Sequence, residues 1–308
     1  MLNKKWVVYL AVMLAMIFWS FSFVWVKEVY KVYGPLTTVL FRLIVASVLM
    51  LVFALLTGKM VKIERKDLGT FVLLAFFEPC LYFMGESYGL LYVSSTIGAV
   101  IVATIPLFSP LAASRFHGEK ISLRMFLGIL LSFIGVSIVV FDSSFKLIVS
   151  PLGIALEFLA VLSAIFYTVV LKKLAVKYNP TAIITYQNML GIIYFLPLWG
   201  FFEYHDFAAI TFNLTAFAGI LKLSVFASCI AFILYAHSVK KLGINGVNIF
   251  INVIPVFTAL FAWYILDDPL TVRKFAGIAV VIAGLLLAQV RLKKTTEEIV
   301  AIQQNAGR

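Results

Sequence analysis

Long apolar runs recur from one end of the chain to the other, and they decide what the sequence can fold into. They lie near 7–26, 36–56, 69–90, 95–115, 124–141, 151–171, 180–202, 214–238, 247–266 and 272–290. Each approaches the ~20 residues that carry a helix across a hydrocarbon core of about 30 Å. Inside such a core every backbone N–H and C=O must find its partner within the segment, which selects helices. Composition agrees: 63% of the 308 residues are hydrophobic and 13% charged, against roughly 45–50% and ~25% in soluble domains. A soluble enzyme, a secreted disulfide scaffold and a disordered chain do not fit. The sequence predicts an all-α integral membrane protein with ten transmembrane helices and a short tail, 291–308. The first run is too long for a signal peptide and lacks a small-residue cleavage site.

Basic residues set the expected orientation. With the N-terminus inside, 18 Lys and Arg fall in cytoplasmic segments and 5 on the other side, while Arg42 and Lys222 lie inside spans. This bias predicts both termini in the cytoplasm, and the expected location is the cytoplasmic membrane of a bacterium or archaeon. The net charge of +11 is spread in short runs between apolar stretches, so no nucleic-acid partner is expected. Cys80 and Cys229 fall within apolar stretches and read as packing residues.

The chain also repeats itself. A shift of 149 lays 77–135 on 226–284, matching Cys80 with Cys229, Pro106 with Pro255, Arg124 with Arg273, Gly128 with Gly277 and Gly135 with Gly284. Nearer the N-terminus a shift of 145 puts Tyr33-Gly34-Pro35 on Tyr178-Asn179-Pro180 and Arg42 on Gln187. Five spans is an odd number, so a second copy crosses the membrane in the opposite sense. The expected units are 1–145, an inverted second five-helix repeat at 146–290, and the tail. Inverted repeats build secondary transporters with the substrate site near mid-membrane between the halves.

The sequence resembles the EamA-type members of the drug/metabolite transporter superfamily. The resemblance rests on Trp19-Ser20-Phe21-Ser22-Phe23 with Lys27, and on Phe41-Arg42-Leu43 with Ala46. It also rests on Ile105-Pro106-Leu107 leading to Gly118-Glu119, Gly128 and Gly135, and on Ile254-Pro255-Val256 leading to Asp267-Asp268-Pro269, Gly277 and Gly284. Ser20 stands where the family usually has Gly, and Asp268 where it usually has Glu. The resemblance covers nearly the whole chain. It implies ten helices in two inverted halves around a central cavity, and carriage of small metabolites, often amino acids and often outward.

Ionisable groups at membrane depth usually face a cavity or one another. Here they are Arg42, Glu78, Glu86, Glu157 and Lys222, with His237 at a helix end. Arg42, Glu86, Glu157 and Lys222 share the outer half, with two charges of each sign. One reading is a cavity for a zwitterion; the other is two internal ion pairs. Arg42 lies near the surface and is expected to snorkel to headgroups, Lys222 and Glu86 are expected at the site, and Glu157 is undecided. Glu78, nearest the midplane, is the candidate proton carrier alongside Glu86, or else a neutral acid bonded to a neighbouring helix.

Tyr82 is one turn from both Glu78 and Glu86 and shares their helix face. Trp19, Tyr167, Tyr186 and Tyr235 are also well inside, and such rings form walls for organic substrates and cover an ammonium group. Gln187, the counterpart of Arg42, joins the candidate substrate-binding set, as do Asn248 and Asn252, an i, i+4 pair that either bonds across helices or binds substrate. Pro106 and Pro255 are expected to bend their helices at matched points as hinges. Neither cofactor nor metal is implied: no phosphate loop or metal-spaced Cys/His cluster occurs.

The function these features predict is a secondary transporter, most readily an exporter, of amino acids or related amphipathic metabolites, with proton exchange as a driving option. Rivals are an exchanger of sugar-phosphate or nucleotide-sugar substrates, which needs more cations, and a non-transporting structural membrane subunit. An intramembrane enzyme lacks a nucleophile–base pair. The partners are a small-molecule substrate and the bilayer; monomer and homodimer both stay open.

Overall fold

The computed structural model describes residues 5–108, 123–141, 147 and 149–289. Apart from one isolated bridge, Phe141 to Leu147, the regular structure in this range is helical. The helices are α1 (Lys5–Val29), α2 (Pro35–Leu56), α3 (Leu68–Ala75), α4 (Tyr82–Tyr92), α5 (Ser95–Val102), α6 (Leu123–Val140), α7 (Pro151–Lys177), α8 (Pro180–Phe202), α9 (Leu214–Lys222), α10 (Phe232–Ile251), α11 (Ile254–Leu266) and α12 (Val272–Gln289). π-type turns join α3 to α4 (Phe76–Leu81) and α9 to α10 (Leu223–Ala231). A short helix, Tyr204–Ala209, follows α8.

The starts of these helices follow from sequence. Pro35, Pro151 and Pro180 open α2, α7 and α8 in the first turn, where a missing N–H costs nothing. Asn179 caps α8 by accepting from Ala182 N at 2.9 Å, and Asn213 caps α9 from Ala216 N at 2.9 Å. Six helical stretches among the described residues are long and apolar enough to cross a membrane: Trp6–Val29, Pro35–Leu56, Arg65–Tyr92, Pro151–Lys177, Pro180–Phe202 and Leu214–Leu242. Shorter apolar helices include Ser95–Phe108, Phe126–Val140 and Ile254–Leu266. Large apolar side chains cover the outside, such as Leu56, Phe201 and Val272, as a lipid-facing surface requires.

Two expectations need correction. The eighth and ninth apolar runs are not separated by a loop: the backbone stays helical from Phe232 to Ile251, through Gly243 and Gly246, which read as breakers only by propensity. Nor do the prolines bend helices from within. The chain turns at Ala103–Thr104 and again at Asn252–Val253, and Pro106 and Pro255 then sit in the first turn of the next helical stretch. The breaks precede the prolines, at positions 149 apart. The stretch 109–115 of the fourth expected span and the tail from 291 lie outside the described residues.

Two antiparallel pairs tie the stretch before residue 145 to the one after it. α6 and α12 pack most extensively. A Cβ on Gly135 would lie 2.6 Å from Val281 N, and one on Gly284 would lie 2.7 Å from Gly128 O. The glycines therefore let backbone meet backbone. α2 and α8 form the second pair. At one end Glu203 accepts from Leu36 N (2.9 Å), Thr37 N (2.7 Å) and Thr37 Oγ1 (2.8 Å). At the other, Lys177 bridges Glu64 and Asp67, both at 2.5 Å.

Candidate functional site

A cavity of about 70 Å³ lies between the two stretches. Its charged wall carries Arg42 from α2, Glu78 from the first π-type turn, and Tyr82 and Glu86 from α4. Tyr167 and Thr168 of α7 and Phe232 and Tyr235 of α10 face it, with Trp19 of α1 between. Both helix breaks border it, through Val102 and Ile105 on one side and Ile251 and Ile254 on the other.

Local structure places each group. Glu78 has extended backbone inside an otherwise helical stretch (φ −144°, ψ 116°), and Pro79 follows it. The break takes the Glu78 side chain out of the helical rotation, yet it still lines the cavity with Tyr82 and Glu86. Tyr82 donates to Glu86 Oε1 at 3.0 Å, as the one-turn spacing predicts. Trp19 donates through Nε1 to Ala227 O at 3.3 Å and packs its ring on Phe232 and Tyr235, with centroids 5.2 and 5.1 Å away. Tyr167 donates to Gln187 Oε1 at 3.1 Å. Gln187 thus stands behind the wall and fixes a ring that forms it.

Arg42 departs from expectation. It does not snorkel: it is 4% exposed, because α2 buries this face against α8 and the second π-type turn. A buried guanidinium needs acceptors. Its Nε donates to Ser228 Oγ at 2.5 Å, and its Cζ stands 4.4 Å from the centroid of the Phe83 ring. None of the ion pairs among the described residues joins Arg42 to Glu78 or Glu86. A guanidinium and two carboxyl groups therefore share one chamber without an ion pair between them.

Other candidates lie elsewhere. Lys222 is exposed on the outer surface at the end of α9, whose buried face is Ala216, Gly219 and Ile220. Glu157 is fully buried outside the cavity, against α4 and α5. Tyr186 packs its ring on Phe71, centroids 5.7 Å apart. Asn252 sits in the second helix break, buried, with neither amide atom hydrogen-bonded. The Asn248 side chain lies outside the described residues. Sequence reasoning missed Ser228, Thr168 and Phe83. Hydroxyls and phenylalanines are common throughout this chain, and nothing local distinguishes these three.

The model of the EamA-like transporter family matches twice, at residues 6–141 and 151–289. An "Uncharacterized transporter" of Archaeoglobus fulgidus is 28% identical over 284 residues, spanning 92% of this chain and 98% of its own. The uncharacterized transporter YetK of Bacillus subtilis is 27% identical over 258 residues, 82% of this chain and 78% of its own. A chloroplastic WAT1-related protein of Arabidopsis thaliana is 25% identical over 281 residues, 88% and 66% of the two chains. One solved crystal structure aligns with a TM-score of 0.68 at 13% identity, covering 92% of this chain and 97% of that one, a likeness of fold. The family match spans nearly the whole chain, and the helices and apolar exterior described above suit it. The chain belongs to the EamA-like transporter family of the drug/metabolite transporter superfamily, integral membrane transporters rather than enzymes.

Proposed function

We propose that this protein is a secondary transporter that exports zwitterionic, amphipathic metabolites, amino acids foremost, through the cavity between its halves. The observation that carries the reading is the separation of charge there. Arg42 stands in the chamber with Glu78 and Glu86 and pairs with neither. A carboxylate meets the guanidinium, an ammonium meets the acids, and the facing rings cover the apolar remainder. Glu78 is the group that exchanges a proton for the departing ammonium.

Alternating access in this reading comes from two inverted five-helix repeats, residues 1–145 and 146–290, with both termini cytoplasmic and the protein in the cytoplasmic membrane. The double family match, the π-type turns and helix breaks at matched positions, and the antiparallel α6–α12 and α2–α8 pairs support it. A sugar-phosphate exchanger fits less well, since Arg42 is the cavity's single cation among the described residues and Lys222 faces outward.

The test is thermal stabilisation of the purified protein by amino acids, matched amines, matched acids and sugar phosphates, followed by counterflow in proteoliposomes. Stabilisation and counterflow strongest with amino acids, and weaker with the amine and acid analogues, is the expected result. A response confined to sugar phosphates would establish the exchanger instead. No response to any class would leave the structural-subunit reading.

A further inference from the structure

Glu157 is an acid that the cavity does not use. It is 0% exposed, and neither carboxylate oxygen has a hydrogen-bond partner among the described residues. It projects from α7 into the seam with α4 and α5. A Cβ on Gly89 would lie 2.9 Å from its Oε1, and one on Gly98 would lie 3.0 Å away. Four residues before Gly89, Gly85 brings α4 onto the α7 backbone, its Cβ position 2.6 Å from Leu156 O. The seam closes round the carboxyl and leaves no room for a hydrated ion.

Three titratable groups act on it. Lys27 of α1 is the cation, and Glu86 and Tyr82 come from α4. α5 adds no charge; its Thr96 donates to Asp268 Oδ2 at 3.0 Å. Asp268 is itself held by Lys274 at 2.5 Å. Lys27 donates to the backbone carbonyl of Leu90, not to Glu157. An ionised carboxylate left in this seam would therefore be buried without a bonded partner, which disfavours the charged form.

Packing does not require an acid here. At the shift of 145 that lays Tyr33 on Tyr178 and Lys27 on Lys172, Glu157 falls on Val12. Val12 is fully buried in α1, so the matched position is filled by an aliphatic side chain.

We propose that Glu157 is a proton-binding site in the seam between the halves, separate from the central cavity, that releases its proton only when α4 and α5 draw away from α7. The step is a simple ionisation. The carboxyl O–H breaks, the proton passes to water entering the opened seam, and the carboxylate takes the Lys27 ammonium from the Leu90 carbonyl. No electrons are transferred. Closing the seam requires the proton back.

The test is infrared spectroscopy of the full-length protein in lipid nanodiscs, without any cargo, as pH is raised. The probe is the proton itself. At neutral pH the wild type should give the carbonyl stretch of a protonated carboxylic acid. Glu157→Gln should lose the component of that band that a Glu78→Gln/Glu86→Gln double variant retains. In Lys27→Met the band should survive to higher pH, because the ionised form loses its partner. A Glu157→Gln spectrum that keeps the whole band overturns the proposal, and a Lys27→Met titration identical to wild type overturns the exchange. Should Glu157→Gln fail to fold, Glu157→Val, which copies the matched position, takes its place in the same measurement. The outcome does not depend on cargo, so it stands apart from the zwitterion reading.

Discussion

Tyr33 and Tyr178 receive the same hydrogen bond at opposite ends of the α2–α8 pair. Asn213 donates its backbone N–H to Tyr33 Oη at 3.4 Å, and Glu64 donates its own to Tyr178 Oη at 3.1 Å. The two tyrosines are 145 residues apart in the chain and the two donors 149, the same shifts that align the sequence with itself. The stretches before and after residue 145 thus anchor each other by one shared device, reinforced with a carboxylate cap at one end and ion pairs at the other.

The cap is open to measurement. Glu203 holds two N–H groups and a hydroxyl at the start of α2. Glu203→Ala should destabilise the protein by about 1–2 kcal/mol, lowering its melting temperature by several degrees. An unchanged melting curve would mean that the cap does not hold the pair together.

At the other end, pH is the lever. Glu64 is held below the usual carboxylate range by hydrogen bonds from Lys177, then Lys66. A depressed carboxyl stabilises the fold above its unfolded value, ~4.3 for Glu, and loses that contribution as pH falls through the folded value. The gap in melting temperature between wild type and Lys177→Met should therefore be present at neutral pH and close in acid below that range. A gap independent of pH would exclude the ionised pair as its source.

Arg42→Gln removes the charge that faces a cargo carboxylate in the proposed mechanism. Losing a charge-assisted contact of ~1.5–3 kcal/mol weakens binding roughly 10- to 100-fold. Counterflow of amino acids should show that loss, and a decarboxylated amine should not. Equal loss for both would mean that Arg42 holds the cavity wall rather than the cargo.

Glu78→Gln should abolish uptake driven by a pH gradient while leaving counterflow at equal pH. Unchanged gradient dependence would take the coupling role from Glu78.

Pro106→Ala and Pro255→Ala should each shift stability by about 1 kcal/mol or less, not the ~3 kcal/mol of a proline within a helix, because the breaks lie ahead of them. Melting curves of the two variants decide this.

Much of this was written in local chemistry. Runs of apolar residues marked the helices. The Tyr82–Glu86 spacing foretold a contact that forms. Depth could be read by counting residues, but rotation could not. Arg42 and Lys222 lie at similar depth, yet one faces inward and the other outward, since neighbouring helices set which way a side chain turns. The same blindness hid Ser228, which matters only because Arg42 comes to it from 186 residues away. The break at Glu78 was likewise out of reach of a periodicity argument, which assumes an unbroken helix.

Arg42, Glu78 and Glu86 all precede residue 145, whereas the second stretch gives the chamber rings, a threonine and isoleucines. In the transport mechanism we propose, a passenger is consequently grasped from one flank only and merely leans on the other. It keeps a fixed heading through the cycle, head group toward one set of helices and hydrocarbon toward the rest. Letting go then asks for a change on a single flank, so alterations to the ringed side should retune which side groups are admitted without disturbing how the head group is gripped.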